Sequence, residues 1–346
     1  MPTMQDIATR VGVTRATVSN VLSGKHAPER PYARERAELI RRVAREIGYR
    51  PSVAARATRT GRTGFIGMIR SPSLMCSVHV AAFDHGLDEA LHERGLCLVR
   101  DTIDDDASTA PRIVRESAVD GLIINYAFGT PPHIREMLDA SRIPAVWVNR
   151  KRDRNCVYPD DEGASAEATR AMLGRGHRRV AMLGTVPRRS KRATEPHTST
   201  ADRHRGYERV MRAAGLAPRF EPLRMPEDLA AVKSGWLLRA CVAFLRRTDR
   251  PTAVLCNFNG RTMLHAAEIA RLRVPEDLSV MAFDDEAGAD ERTAVDRLLV
   301  PHLPMGRAVV AETCALVDDP ASPREPVVLP FEFHRTGTVG RPGEPQ

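Results

Sequence analysis

At 346 residues the chain is too long for one ordinary hydrophobic core, so two or three domains are expected. Hydrophobic residues make up 42% of it and charged residues 28%, which excludes a disordered, collagen-like or membrane-embedded protein. The whole net charge of +8 lies in residues 1–62, with 13 Lys and Arg against 5 Asp and Glu, whereas residues 63–346 carry 39 of each sign. A basic head on a neutral body suggests a polyanion-binding module attached to a sensor or catalytic unit, although a solvated helix face would carry the same charge.

Several classes of chemistry lack a sequence signal. No run approaches the roughly 20 apolar residues that span a bilayer, and the polar start of the sequence has no apolar signal-peptide core. The six cysteines form neither a C-x-x-C pair nor a cluster at zinc spacing, and we expect free, buried thiols in a reducing compartment. No nucleophile elbow, phosphate-binding loop or dinucleotide motif is present. We therefore expect a cytoplasmic protein that is not an enzyme, with no metal, no cofactor and no membrane partner.

The basic head has the pattern of a helix-turn-helix. Apolar residues at helical spacing predict helices over 4–11 and 15–22. Gly12 provides the turn between them, and Thr14 suits the N-cap of the second helix. A third helix is predicted from about Ala33 to Ile47. Two short helices joined by a glycine-containing turn are typical of DNA-binding heads.

The neutral body has the pattern of an α/β protein. From residue 63, short apolar runs recur about every 25 to 35 residues, with helical periodicity between them. Such runs predict parallel sheets covered on both faces by helices. Seven runs fit two doubly wound parallel-sheet lobes better than one sheet. The runs are 65–69, 96–99, 121–124, 145–148, 180–183, 253–255 and 279–283.

Longer stretches make the pattern specific. MQDIATRVGVTRATVSNVLSG at 4–24 and IGYRPSVAARATRTGRT at 47–63 resemble the N-terminus of the LacI/GalR family of bacterial transcription regulators. VDGLIIN at 119–125, GRGHRRVAMLG at 174–184 and VPEDLSVMAFDD at 274–285 extend the resemblance over nearly the whole chain. The resemblance implies a periplasmic-binding-protein-like body, in which two lobes close on a ligand.

The resemblance also implies a division of the chain, with three crossings between the lobes. It gives a helix-turn-helix domain at 1–50, a hinge segment at 51–62, a first lobe at about 63–160 and 294–325, and a second lobe at about 161–293 and 326–336. We expect the Gly/Pro-rich tail at 337–346 to be disordered. A homodimer is implied by the resemblance, and a tetramer stays open, although the tail has no leucine heptad to build one.

Specific side chains of the head match the family's DNA contacts. Arg15, Ala16 and Asn20 occupy positions that resemble the base-reading residues, with the second helix in the major groove. Arg15 suits guanine and Asn20 suits adenine. Hydroxyl side chains suited to phosphate oxygens are Thr14, Thr17 and Ser19. Capping of the helix is an equally good role for Thr14.

The hinge segment departs from the family pattern. In the family it becomes helical on the operator, pairs with its twin in the minor groove and inserts a leucine wedge that kinks the DNA. This sequence has Thr58 where that leucine is usual and Ser52 where asparagine is usual. We expect a shallower kink, readout of minor-groove width by Arg56, or only a flexible basic linker. The hinge residues assigned to the minor groove are Ala55, Arg56, Thr58 and Arg59.

The body carries a predicted effector site, because ligands of open parallel sheets bind beyond the carboxyl ends of the strands. Arg203 matches the family's effector-binding arginine and, paired with Asp284, would bind a polyol or an anionic group. A structural salt bridge is the alternative for Arg203, and loop capping with a lobe-to-lobe ion pair is the alternative for Asp284 and Asp285. Phe258 and Asn259 stand where the family has Asn-Asp, so its sugar ligands do not transfer directly. The predicted effector-binding residues are Ser71, Asn149, Arg203, Phe258, Asn259 and Asp284.

The sequence therefore predicts a homodimeric transcription regulator, a repressor, associated with the nucleoid through a pseudo-palindromic double-stranded operator. A small-molecule effector, a sugar or related metabolite bound between the lobes, would change its DNA affinity. Two alternatives stay open. One is a DNA-binding regulator controlled by a protein or phosphoprotein partner. The other is a cytosolic solute-binding receptor whose basic head does not read sequence.

Overall fold

The computed structural model forms two compact units, Met1–Thr63 and Gly64–Gln346. The helices are α1 Met4–Val11, α2 Arg15–Leu22, α3 Pro31–Glu46, α4 Ala81–Glu93, α5 Arg112–Arg115, α6 Pro132–Ala140, α7 Asp161–Gly174, α8 Thr198–Ala213, α9 Trp236–Leu245, α10 Gly260–Ile269 and α11 His302–Asp318. The strands are β1 Phe65–Arg70, β2 Cys97–Thr102, β3 Gly121–Asn125, β4 Ala145–Val148, β5 Cys156–Pro159, β6 Val180–Val186, β7 Phe220–Arg224, β8 Ala253–Asn257, β9 Ser279–Asp284, β10 Asp296–Leu299, β11 Val327–Leu329 and β12 Glu332–His334. The structure describes residues 2–23, 31–50, 57–58, 60–70, 80–104, 107–126, 130, 132–186, 197–226, 235–285 and 295–343.

The first unit is a three-helix head, and its predicted helices are confirmed. Helix α3 begins at Pro31, two residues before the predicted start, because proline is favoured in the first turn of a helix. Gly12 has φ 70° and ends α1 in the left-handed conformation that glycine adopts without steric cost. Ile7, Val18 and Ile40 are fully buried and join the three helices in one small core.

The second unit consists of two lobes, each built on a six-stranded sheet. The first sheet has the order β11-β5-β4-β3-β1-β2 and is parallel throughout. The second has the order β12-β10-β9-β8-β6-β7, in which only β12 is antiparallel to its neighbour. Each sheet buries apolar side chains on both faces against helices. The predicted α/β class with two doubly wound lobes is confirmed.

All seven predicted strands are present, and five further strands were not predicted. The missed strands are short, and several carry charged residues or proline. Pro222 lies in β7, at an edge of its sheet where a missing N–H costs no ladder hydrogen bond. The strands without a sequence signal are β5, β7, β10, β11 and β12.

The predicted lobe boundaries near 294 and 325 are wrong. Strand β10 pairs with β9 in the second sheet, so the chain enters the first lobe only after Leu299. Strand β11 pairs with β5 in the first sheet, so the chain returns to the second lobe only after Leu329. The remaining crossing follows β5. The error arose because β10 and β11 are too short to show a strand period.

The predicted disorder of the tail is wrong for residues 337–343. The N–H of Val280 donates to the carbonyl of Thr338 at 2.9 Å, and Val339 is buried. Gly340 donates to Ser279 Oγ at 3.0 Å, and its carbonyl accepts from His177 Nε2 at 3.1 Å. Glycine and proline here permit close packing rather than disorder, because backbone partners are available. Residues 344–346 lie outside the described residues.

Asp296 fastens this tail to the second sheet. Its carboxylate is almost fully buried and accepts from the backbone N–H groups of Thr336, Gly337 and Thr338 at 2.6 to 3.2 Å. Its own N–H donates to the Thr338 hydroxyl at 2.7 Å. One side chain thus accepts hydrogen bonds from three consecutive backbone donors of the tail.

Replacing that carboxylate should therefore destabilise the protein. Asp296→Ala leaves several donors unpaired, and we expect a loss of about 3 kcal/mol in the free energy of unfolding. Urea denaturation followed by circular dichroism measures it. The control Asp319→Ala removes an exposed carboxylate and should change stability by less than about 0.5 kcal/mol. Equal effects of the two substitutions would contradict this role of Asp296.

Candidate DNA-binding head and effector cavity

The second helix of the head presents the predicted base readers to solvent. Arg15, Ala16 and Asn20 are exposed, whereas Val18 points into the core. The side chains assigned to bases therefore lie on the accessible face of α2. Of the predicted hinge residues, Thr58 is exposed in a helical segment, and Ala55, Arg56 and Arg59 lie outside the described residues.

The hydroxyl residues of the head have structural partners as well. The Thr14 hydroxyl accepts from the N–H of Thr17 at 3.2 Å and lies 2.9 Å from the Thr17 hydroxyl. Thr14 thus caps α2, as one of the two sequence interpretations proposed. Ser19 is half-buried on the next turn. A phosphate contact by Thr14 would have to share the oxygen that caps the helix.

The second lobe contains a cavity of about 200 Å³ at the carboxyl ends of β8 and β9. It brings together four of the six predicted effector residues. Asn149 does not line it, and Ser71 lies outside the described residues. The lining residues are Arg203, Asn257, Phe258, Asn259, Phe283, Asp284, Asp285 and Val300.

Arg203 is fixed before any ligand arrives. Its Nε donates to Asp161 at 2.6 Å, and its Nη1 donates to the side-chain oxygen of Asn257. The flat guanidinium lies over the Phe283 ring, 3.9 Å from the ring centre. No described residue accepts a hydrogen bond from Nη2. Arg203 therefore enters the cavity wall in one orientation with donor capacity unused.

Arg203 and Asp284 line the same cavity, but the salt-bridge partner of Arg203 is Asp161. Burial raises the pKa of Asp161, and the positive charge of Arg203 opposes that rise. The pair is almost completely shielded from water, with side-chain exposures of 13% and 6%. Removal of either member would leave a buried charge without its counter-charge, which is strongly destabilising. Arg203 thus has two roles: it forms a structural salt bridge, and it lines the cavity.

Asp284 and Asp285 have separate roles. Asp284 accepts from the N–H of Asp285 at 2.9 Å and lies 3.8 Å from a guanidinium nitrogen of Arg297 in the neighbouring strand. Asp285 accepts from His302 Nε2 at 2.8 Å, and this hydrogen bond lowers the pKa of Asp285. His302 begins α11 of the first lobe. The lobe-to-lobe contact considered from the sequence is therefore a hydrogen bond made by Asp285.

The backbone carbonyl of Asn149 forms a contact between the two lobes. Asn149 follows β4 of the first lobe and has φ 54°, and its carbonyl accepts from His197 Nε2 at 2.9 Å. His197 caps α8 of the second lobe, where its Nδ1 accepts from the N–H of Ser199 at 3.1 Å. Burial lowers the pKa of His197 to about 4, so the imidazole is neutral near pH 7. Neutral His197 is a second contact between the lobes.

Two other side chains complete the cavity lining. Phe258 packs against the apolar core beneath α10, and Asn259 caps that helix by accepting from the N–H of Arg261 at 2.9 Å. The Asn259 amide nitrogen is not part of the cap. Both residues therefore have structural roles that leave a ring face and an amide at the cavity.

Sequence reasoning missed four residues that build the site. The strand-end rule selects Asn257 together with Phe258 and Asn259, and Phe283, which ends an apolar run, could have been included by the same rule. Asp161 follows β5, which gave no strand signal, and Asp285 and His197 act through contacts with the other lobe. The last three had no local signal that separated them from loop residues.

Within the described part of the chain, other chemistry is sparse. No group of three or more His, Cys, Asp or Glu side chains is placed to hold a metal ion. No helix there is both long and apolar enough to cross a membrane. The described cysteines form no disulfide with one another, but Cys97 is exposed and Cys314 half-buried, contrary to the expectation that all are buried.

The sequence matches two protein-family models. Residues 3–52 match the lacI family of bacterial regulatory proteins, and residues 169–339 match the periplasmic binding protein-like domain. A relative is the HTH-type transcriptional regulator AglR of Rhizobium meliloti (strain 1021), 30% identical over 292 residues that cover 82% of this chain and 77% of AglR. Another is the repressor PurR of Pectobacterium carotovorum subsp. carotovorum, 28% identical, covering 97% of this chain and 95% of PurR.

Solved structures share the fold. The Lac repressor dimer bound to operator and the anti-inducer ONPF superposes with a TM-score of 0.73 at 20% identity, over 98% of this chain and 99% of that one. A complex of the transcriptional regulator CelR with cellobiose gives a TM-score of 0.61 at 23% identity, over 98% and 100%.

A helix-turn-helix head and a two-lobed periplasmic-binding-protein-like body define a DNA-binding transcription regulator rather than an enzyme. The chain belongs to the LacI family of bacterial transcriptional regulators. This membership confirms the resemblance seen in the sequence. It also removes support from the alternative of a receptor that does not bind DNA.

The buried imidazole between the lobes should make stability depend on pH. The folded-state pKa of His197, about 4, lies below its ordinary value of 6.5, so the unfolded chain binds more protons between these values. The free energy of unfolding should therefore fall by up to about 3 kcal/mol as pH drops from about 7 to about 4. Urea denaturation across this range, compared with His197→Gln, isolates the effect. A variant with the same pH dependence as the native chain would contradict it.

Proposed function

We propose that this regulator is a repressor that binds a pseudo-palindromic operator as a homodimer and responds to a small sugar-like effector in the Arg203 cavity. The observation that carries the proposal is the orientation of Arg203, which Asp161, Asn257 and Phe283 hold at the cavity wall. A group so constrained binds ligand without losing side-chain entropy on association. A protein that acts on the chromosome in this way works in the cytoplasm, at the nucleoid.

The head supports sequence readout by α2. Arg15 would donate to guanine O6 and N7, Asn20 would pair with adenine, and Ala16 would contact a thymine methyl group. Thr17 and Ser19 would position the helix on phosphates, with Thr14 as the cap that directs the N–H groups of α2 toward the backbone. Ala55, Arg56, Thr58 and Arg59 would enter the minor groove, with no leucine wedge among them.

The cavity lining supports a small polyhydroxylated ligand. Arg203 offers donors, the Asp284 carboxylate offers acceptors, and the Asn259 amide offers a further donor. Phe258 supplies an aromatic face of the kind that stacks on the apolar face of a ring. About 200 Å³ is below the roughly 300–1,000 Å³ of drug-sized pockets, which favours a ligand of monosaccharide size.

Contacts between the lobes supply the means of control. Asp285 with His302, and His197 with the Asn149 carbonyl, join the lobes on the cavity side. Lys151 adds a longer ion pair, 3.9 Å from Asp202. A ligand that binds the joined and separated arrangements unequally would shift their populations, typically with a coupling of about 1–3 kcal/mol. The shift would reach DNA through the ordering of the hinge segment.

Base readout can be tested on duplexes that differ at one position. Arg15→Ala should lose about 1–3 kcal/mol of discrimination at a single guanine while retaining nonspecific affinity. Fluorescence anisotropy at fixed salt, with an operator obtained by in vitro selection, measures it. The control Arg45→Ala removes an exposed arginine near the end of α3. Unchanged selectivity of Arg15→Ala would refute its role as a base reader.

Effector binding can be tested by thermal denaturation with a panel of monosaccharides, disaccharides and sugar alcohols. A ligand of the cavity should raise the melting temperature of the native chain. In Asp284→Asn, about ten times more ligand should be needed to produce the same rise. Arg203→Ala should abolish it. The matched control Arg212→Ala lies on the same helix, exposed and distant from the cavity lining. A stabilising sugar unaffected by both cavity variants would place the site elsewhere.

A further inference from the structure

The first lobe has a second and larger cavity that the proposed function does not use. Its volume is about 590 Å³, and no residue lines both cavities. It lies between α6 and the loop that joins β4 to β5. Apart from Ala145 and Trp147, every lining side chain is charged or an amide. The others are Arg135, Asp139, Arg150, Lys151, Arg152, Asp153, Arg154 and Asn155.

The loop that forms this cavity is fixed at its base. The N–H of Trp147 donates to the Asn155 carbonyl at 2.8 Å, and the N–H of Asn149 donates to the Val157 carbonyl at 2.8 Å. Asn155 is tied to Arg324 by two further hydrogen bonds of 2.7 and 2.8 Å, one through its side chain. Asn149 and Asn155 adopt positive φ, which asparagine tolerates better than most residues. Residues 150–154 are thus presented by a rigid frame.

The charge of the cavity is strongly unbalanced. Five cationic side chains and two carboxylates, those of Asp139 and Asp153, line it, and a third carboxylate, that of Asp202, lies 3.9 Å from Lys151 outside the lining. Arg135, Arg152 and Arg154 take part in no salt bridge with any residue that the structure describes. The Nε of Arg135 is buried without a hydrogen-bond partner. Buried donors normally have partners, so an unsatisfied guanidinium nitrogen beside a cationic cavity points to a missing acceptor.

Arg152 shows the same imbalance. Its guanidinium lies 4.6 Å from the centre of the Trp147 ring, which orients it without neutralising its charge. Burial lowers the pKa of Arg152. Asp139 opposes this change, and the positive charges of Arg135 and Arg150 add to it. An anion in the cavity would relieve the repulsion among these three guanidinium groups.

We infer that this cavity is a second ligand site, for a small, multiply charged oxyanion of the organic phosphate class. Guanidinium groups match phosphate oxygens in two-pronged geometry, and several of them converge here from two elements. The volume is within the range of small-molecule sites. A concave, cationic site of this size favours a small anion over a macromolecular surface. The regulator would then respond to the concentration of a small phosphorylated metabolite in addition to its effector.

Isothermal titration calorimetry of the full chain with pyrophosphate tests this, at ionic strength held constant with potassium chloride. The native protein should bind one pyrophosphate per chain, and citrate should bind more weakly. Arg135→Gln and Arg154→Gln should each weaken pyrophosphate binding by about tenfold, since each removes a charge-assisted contact. Arg154 is exposed, so its variant keeps the test valid if Arg135→Gln fails to fold.

Two control variants define the outcome. Arg170→Gln removes an exposed arginine on α7, and Asn259→Ala alters the first cavity; both should bind pyrophosphate like the native chain. Absence of pyrophosphate binding would overturn the inference, as would binding that Asn259→Ala removes or that Arg135→Gln and Arg154→Gln leave intact. Tighter binding of citrate would overturn the phosphate class. Loss of random-sequence duplex binding in Arg154→Gln, without pyrophosphate binding by the native chain, would assign the surface to DNA instead.

Discussion

The buried ion pair between Arg203 and Asp161 is the constraint on which the effector cavity depends. It joins α7 to α8, and the second contact of Arg203, with Asn257, joins α8 to the end of β8. A charge this deeply buried is stable only with its counter-charge beside it, so the pair fixes both helices. The cavity wall is the outer edge of this arrangement. The guanidinium of Arg203 therefore both stabilises the fold and lines the cavity, and its orientation is fixed before a ligand binds.

The sequence was most informative where structure is local. The head could be predicted almost residue by residue, because Gly12 and Thr14 determine a turn and a cap by their own chemistry. The central strands could be predicted because they are covered on both faces and leave continuous apolar runs. The peripheral strands could not, since an edge strand such as β7 needs neither uniform burial nor a full set of donors.

The sequence predicted most of the residues that line the cavity, but it did not predict which residues form hydrogen bonds or salt bridges with them. The strand-end rule, with the family resemblance, brought Arg203, Phe258, Asn259 and Asp284 to one cavity. The partners of these residues lie far away in sequence: Asp161 is 42 residues before Arg203. No periodicity encodes such a contact, because it results from the packing of two helices that are separate in sequence. The structure of the tail also depends on a contact between residues far apart in sequence, because Asp296 orders a segment whose composition favours disorder.

The interleaving of the lobes has a consequence for how the body can be taken apart. The first sheet needs β11, and the second needs β10 and β12, so each lobe is assembled from separate stretches of polypeptide. Neither can be excised as one continuous fragment, and neither is finished during synthesis until residues beyond 296 have been made. The head has no such dependence, because its core closes within residues 4–49. Nascent chains should thus carry a folded head for most of translation, while the body waits for contacts of long sequence separation.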